Sequence, residues 1–190
     1  MNELSLFAKI QRQEQFDKVL QTSHGVNAIN TLCHFASTLS NSGEAPVKYG
    51  IGWNRPNQST VTITENYYEG LHVDQGDNLP IEMRNSSKNR LLLNLGVEPR
   101  YFLFVNLNMQ HILNLVMAHG DTEINQHTSG MSRLGLTFME KYPEYPVIRL
   151  RVEPGEGYIA PTDNIIHDGS TEGTKALDII FTVRSNFKLP

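Results

Sequence analysis

Apolar residues in the first part of the chain recur at helical spacing. Leu4, Phe7, Ile10, Phe16 and Leu20 share one face between Leu4 and Leu20, and Gly25 reads as the stop that follows. A second pattern of this kind runs from about Val26 to Leu39 through Ile29, Leu32, Cys33 and Ala36, and ends at the polar cluster Ser40 to Gly43. Residues 1–45 are therefore expected to form N-terminal helices.

Beyond Pro46 the texture changes to short stretches rich in β-branched and aromatic residues, separated by Gly, Pro, Asn and Asp. Strands are predicted at Val47 to Trp53, Thr60 to Tyr68, Arg90 to Leu95, Tyr101 to Leu107, Val147 to Val152 and Leu177 to Arg184. Two helical patterns interrupt them. One is Met109 to His119, with Ile112, Leu113, Val116 and Met117 on one side and Gly120 as its cap; the other is Met131 to Lys141. Many short strands point to a sandwich or barrel. The expected architecture is a single domain over residues 1–190, mainly β, with N-terminal helices followed by a jelly-roll-like core (46–190) that carries a helical insertion at 109–141.

Composition narrows the function more than the fold. A chain of 190 residues, 39% hydrophobic and 19% charged, can bury an ordinary core, and no apolar run approaches the roughly 20 residues that span a bilayer. The first residues lack the pattern of a secretory signal, and Cys33, the one cysteine, has no partner for an internal disulfide. A reducing cytoplasm is the expected setting. The net charge of -4, without a basic run, argues against nucleic acid, and no membrane partner is expected. What remains is a small-molecule substrate.

The chemistry concentrates in a few residues. In Glu69-Gly70-Leu71-His72-Val73-Asp74, period-2 alternation puts His72 and Asp74 on one face with Val73 turned away, so an imidazole and a carboxylate can meet one ion. A redox iron needs a third ligand and open positions, the two-His-one-carboxylate arrangement. His167, at the end of the turn-rich stretch from Pro154, is the choice for that ligand. On the last strand, Arg184 shares a face with Thr182 and Ile180. It can reach the metal only if Leu177, Ile179, Phe181 and Val183 face an outer layer, and alternation alone leaves both options open. A buried guanidinium needs a partner, and the distal group of a dicarboxylate would pair with it bidentately.

With these residues the sequence resembles the iron(II)/2-oxoglutarate-dependent oxygenase superfamily, whose pattern is His-x-Asp, a later His and then an Arg one strand further on. The match covers residues 60–187, with His72, Asp74, His167 and Arg184 at the pattern positions and Arg90 to Gly96 like the strand that follows the first ligand pair. The resemblance implies a double-stranded β-helix, Fe(II) as metal, 2-oxoglutarate as co-substrate and O2 as oxidant, with 2-oxoglutarate decarboxylated to succinate. It also implies hydroxylation, or a related desaturation or cyclisation; Asp74 is retained where halogenating members lose that carboxylate. One departure is that many members carry Ser two residues after the Arg. Here Ser185 follows at once and Asn186 takes that place.

Competing readings stand beside this one. His119-Gly120-Asp121 is a second His-x-Asp, disfavoured because it falls at a helix end. His24, His34, His111 and His127 lack partner spacing. Trp53, Arg55, Glu65 and Tyr67 are weak candidates for the substrate pocket, and the helical insertion is a candidate lid. A cupin-type isomerase or 2-oxoglutarate-independent dioxygenase would usually show His-x-His followed closely by Glu, but Asp74 fills the second place and Gln75 to Leu79 contain no Glu. A non-catalytic β-sandwich binding protein is the alternative from another class. The expected substrate is an amino acid, free or carrier-bound, or a small polar metabolite of biosynthesis, and a homodimer would suit a shallow site.

Overall fold

The structure, a computed structural model, describes residues 3–41, 48–64, 67–118 and 130–188. A 3-10 turn at Glu3–Lys9 leads into helices α1 (Gln13–Leu20) and α2 (Ser23–Leu39). One helix was expected where this turn and α1 stand. Gly25 is not a stop. The Thr22 hydroxyl accepts from the Gly25 N–H at 3.0 Å and caps α2. A Cβ on Gly25 would lie 2.1 Å from the Val19 carbonyl oxygen, so glycine is what lets α2 start against the end of α1.

Nine strands follow among the described residues: β1 (Lys48–Asn54), β2 (Ile63–Thr64), β3 (Tyr67–Tyr68), β4 (Asn89–Asn94), β5 (Arg100–Asn108), β6 (Ile148–Val152), β7 (Gly157–Ala160), β8 (Ile165–Ser170) and β9 (Asp178–Ser185). The helices α3 (Met109–Ala118) and α4 (Gly130–Lys141) lie between β5 and β6, where the insertion was expected. The sequence pattern shows neither β7 nor β8 as a separate strand, and the described residues of Thr60 to Tyr68 form the short β2 and β3 pair.

One antiparallel sheet has the order β1-β9-β4-β7, and a second has the order β6-β5-β8. The free edge of β8 is extended by the chain that precedes β4. Val61 donates to Gly169 O, and His72 and His167 exchange backbone hydrogen bonds of 2.9 and 2.8 Å. The chain thus crosses between a four-stranded sheet and a three-stranded sheet with an extended edge in jelly-roll order, the double-stranded β-helix.

Each sheet buries its outer face under helices. Leu91, Leu95, Ile179, Phe181 and Val183 pack with Phe7, Phe16, Ala28, Leu32 and Ala36 of the N-terminal layer. Ile179 and Phe181 are fully buried, and burial of each such side chain contributes about 1.5–3 kcal/mol. On the other sheet, Val73, Val105 and Ile166 join Met109, Ile112, Leu113, Val116, Leu134 and Phe138. The described insertion helices are therefore a buttress for the outer face of that sheet and not a lid. Because both hydrophobic cores lie outside the sandwich, the space between the sheets is left to aromatic, imidazole and charged side chains.

No helix among the described residues is long and apolar enough to cross a membrane.

Candidate metal centre

Gly70 adopts a positive φ of 72°, a conformation that glycine takes without a steric penalty. Its carbonyl thereby meets Nδ1 of His72 at 2.7 Å. Two residues on, the Asp74 N–H donates to Thr162 O at 3.0 Å, which fixes the segment against the turn before β8. His167, on β8, has Nδ1 3.2 Å from Ile165 O. A carbonyl only accepts, so Nδ1 carries the proton in both rings and each Nε2 keeps its lone pair.

Those lone pairs face one carboxylate. His72 Nε2 is 3.7 Å from Asp74 Oδ1, and His167 Nε2 is 3.8 Å from Asp74 Oδ2. One ligand atom from each residue lies within 4.8 Å of the others, and the imidazole centroids are 4.7 Å apart. The two imidazole–carboxylate gaps are too long for hydrogen bonds. Buried lone pairs turned toward a carboxylate in this way form a donor set that suits a divalent first-row metal, with backbone carbonyls orienting both imidazoles from behind.

The local field keeps Asp74 ionised and His167 unprotonated and makes His72 the more basic of the two imidazoles. Burial works to raise the Asp74 pKa, but His72, Arg90 and His167 outweigh it and hold the carboxyl far below its usual range. Burial is the main reason that His167 is pushed down to about 4; the Asp74 charge opposes the shift and His72 adds to it. For His72, burial is outweighed by Asp74 and the Gly70 carbonyl, and the pKa lies above its ordinary value.

Arg184 lies on the inward face of β9, since Ile179, Phe181 and Val183 on the alternate face pack under the N-terminal helices. This resolves the ambiguity left by alternation. Its guanidinium is already engaged. Nη1 pairs closely with Asp163 Oδ1, and Nη2 lies 3.3 Å from Asp77 Oδ2 and 3.4 Å from Lys88 O. Gly76 makes room for it, because a Cβ there would sit 1.9 Å from Nη1. Ser185 is buried on the opposite face of β9, away from Arg184.

Three further residues that sequence reasoning did not single out complete the surroundings. Arg90, paired in register with Arg184 across β4 and β9, places Nη2 2.7 Å from Asp74 Oδ2. That contact is an ion pair off the hydrogen-bonding axis, so the oxygen still has an acceptor position to offer. Arg84, 4% exposed, donates Nη1 to the carbonyls of Asp74 and Asp163 and Nε to that of Leu79. It holds the two acid-bearing loops at fixed separation. Asp163 also accepts from the Asp77 N–H at 2.9 Å. Alternation on β4 would have put Arg90 on the same face as Leu92, but its partner follows only from the register between the sheets.

Asp163 has a testable pH signature. Burial opposes its ionisation, yet Arg184 and the Asp77 and Gly76 N–H groups outweigh burial and lower its pKa from 3.8. A depressed carboxyl contributes stability that is fully present above its unfolded pKa and lost as pH falls through the folded value. The Asp163→Asn protein is expected to be less stable at neutral pH and to lose less stability than wild type on acidification below about pH 4. Thermal unfolding from pH 7 down to pH 2 would measure this, and parallel pH profiles would rule it out.

Beside Asp74 opens a cavity of 270 Å³ lined by Gly50, Lys88, Arg90, Thr182 and Arg184, among others. Trp53 is not on its wall; it packs against the N-terminal helical layer. Arg55 is exposed. Tyr67 takes part in β3. Glu65 and the second motif His119-Gly120-Asp121 lie outside the described residues.

No protein-family profile matches the chain, and no curated protein matches it in sequence. Solved structures share its fold. The apo structure of the Kdo hydroxylase KdoO, a non-heme Fe(II) alphaketoglutarate dependent dioxygenase, aligns with a TM-score of 0.50 and 15% identity over 87% of this chain and 64% of that chain. Its complex with alphaketoglutarate and Fe(III) gives a TM-score of 0.50 and 15% identity over 87% and 65%. The chain spans a little under two thirds of the length of those structures. At this identity the likeness establishes the fold: the sandwich between the helical layers is the double-stranded β-helix on which that dioxygenase is also built.

Proposed function

We propose that the protein is an iron(II)- and 2-oxoglutarate-dependent dioxygenase in which His72, Asp74 and His167 hold the ferrous ion and Arg184 anchors 2-oxoglutarate. The observation that carries this reading is the convergence of two imidazole Nε2 atoms and one carboxylate beside a cavity lined by guanidinium groups. Charge supports it. Lys88, Arg84, Arg90 and Arg184 outnumber Asp74, Asp77 and Asp163 by one, so a divalent ion adds to a positive excess that a dicarboxylate offsets.

When bound, iron and 2-oxoglutarate supply oxidative chemistry with the balance R–H + 2-oxoglutarate + O2 → R–OH + succinate + CO2. The chain's own residues orient and shield. The Gly70 and Ile165 carbonyls fix the tautomers of His72 and His167. Arg90 turns the Asp74 carboxylate and holds it ionised. The anchoring guanidinium of Arg184 is kept in place by Asp163 and Asp77 before co-substrate arrives. Hydroxylation is the activity in the name of KdoO, and it is the outcome we assign, with a small molecule such as an amino acid as substrate.

The test is succinate release with ferrous ion, 2-oxoglutarate and a panel of amino acids and metabolites. Succinate that depends on both additions is expected. Oxygen uptake that continues without 2-oxoglutarate would instead favour the cupin-type reading. Arg90 gives a sharper check, since removing a partner of a ligand typically weakens metal binding about 10- to 100-fold. Arg90→Met is expected to lose ferrous affinity in that range by titration calorimetry, and Arg90→Lys to recover part of it. Unchanged affinity in Arg90→Met would exclude the positioning role.

A further inference from the structure

Beside His167 lies a second chamber, of 230 Å³, walled by Phe102, Phe104, Leu150, Tyr158, Ala160 and Ile165, none of which lines the cationic cavity. Among the described residues its walls carry no charged side chain, and Asn106 and Tyr158 supply the only polar side-chain groups on them. The aromatic rings are ordered. Phe102 stacks on Tyr158 at 4.2 Å and on Phe104 at 5.3 Å, and its centroid is 5.8 Å from that of His167. Phe104 is also the direct cross-strand partner of His167, so the chamber adjoins the proposed metal ligands.

The mouth is unusual for a surface edge. β6 pairs with β5 on one side, and among the described residues no strand covers its other edge. Ile148 and Leu150, 40% and 44% exposed, share the chamber-facing side of this strand with Val152, while Arg149 and Arg151 point outward. Apolar residues lining an open edge beside a cavity mark a binding site better than they mark a solvated surface. The space is smaller than the roughly 300–1,000 Å³ of pockets for drug-sized ligands, so it suits one moiety and not a whole metabolite.

We propose that this chamber receives the apolar, uncharged part of the substrate, a branched aliphatic chain or a single aromatic ring, and holds its C–H bond toward the triad. The inference rests on the dioxygenase reading and narrows it. The co-substrate occupies the ionic cavity beside Asp74, and the oxidised group enters from the separate, apolar chamber. Within the expected amino acids, this selects those with apolar side chains over polar ones.

The experiment has two arms. In the first, isovaleramide and phenylacetamide are titrated into the metal-free protein, with the ring resonances of Phe102 and Phe104 followed by NMR. Leu150→Glu puts a charge at the exposed mouth without disturbing a core position. It is expected to weaken probe binding about tenfold or more, because a charge at an apolar wall must be desolvated. Val26→Glu, on an exposed position of the distant N-terminal layer, should leave binding unchanged, and the polar malonamide should not bind. In the second arm, succinate release is compared for leucine, valine and phenylalanine against serine and aspartate, with the apolar set expected to stimulate it. Probe binding that ignores Leu150→Glu, or equal stimulation by serine and aspartate, overturns the proposal. So does self-association abolished by Leu150→Glu, which would make β6 a contact between copies. Absence of succinate under every condition strikes the dioxygenase reading instead, and the probe titration then judges the chamber by itself.

Discussion

The His167→Ala protein is expected to fold, to lose ferrous binding by more than about 100-fold and to release no succinate. Loss of an outer partner alone costs about 10- to 100-fold in metal affinity, and a direct ligand contributes more. The fold should survive because the bonds that join residue 72 to residue 167 are backbone bonds, N–H to carbonyl in both directions, and alanine keeps them. What disappears is the imidazole, whose Nε2 faces Asp74 at 3.8 Å. Circular dichroism would verify folding and titration calorimetry the metal affinity. Normal succinate release from a folded His167→Ala protein would sink the ligand assignment.

The second large effect lies at Arg184, where two consequences should be separable. Arg184 is proposed to anchor 2-oxoglutarate, so its loss should raise the co-substrate requirement. Its side chain is 11% exposed, however, and that of its partner Asp163 is 1% exposed. Removing one member of a buried pair strands the other charge and costs about 3–5 kcal/mol. Arg184→Ala is therefore expected to unfold at a distinctly lower denaturant concentration as well as to bind 2-oxoglutarate poorly. Adding Asp163→Asn removes the stranded carboxylate, and the double variant should regain most of the stability but none of the co-substrate affinity. If stability and affinity returned together, or neither changed, the division of labour assigned to this arginine would be wrong.

Much of the architecture is legible in the sequence because its two cores obey simple periodicity. The helical pattern from Met109 and the β-branched stretch ending at Arg184 both bury one face under another layer, and both appear where expected. β7 and β8 escape for the opposite reason. Gly157–Ala160 is short and opens with glycine, and Ile165–Ser170 spends its inward positions on His167 and Gly169. A strand that lines a site gives up the alternation that would announce it.

The same contrast holds within the site. His72 and Asp74 are readable because spacing of two on an extended segment puts them on one face, and the structure brings them together with His167. The ion pairs of Arg90 with Asp74 and of Arg184 with Asp163 are not readable, because each joins residues whose proximity depends on how strands and loops meet across the sandwich. Gly25 shows a similar limit. Taken alone a glycine reads as a helix stop, but here it permits close approach to Val19 inside the first turn of the next helix.

The most direct measurement is anaerobic titration of the wild-type protein with ferrous ion followed by 2-oxoglutarate, monitored by visible absorption. A charge-transfer band that saturates at one ion and one co-substrate per chain, and that is missing from the His72→Ala and His167→Ala proteins, is the result predicted here. A folded wild-type protein that develops no band, or variants that develop it undiminished, would contradict the assignment of His72, Asp74 and His167 to a shared iron.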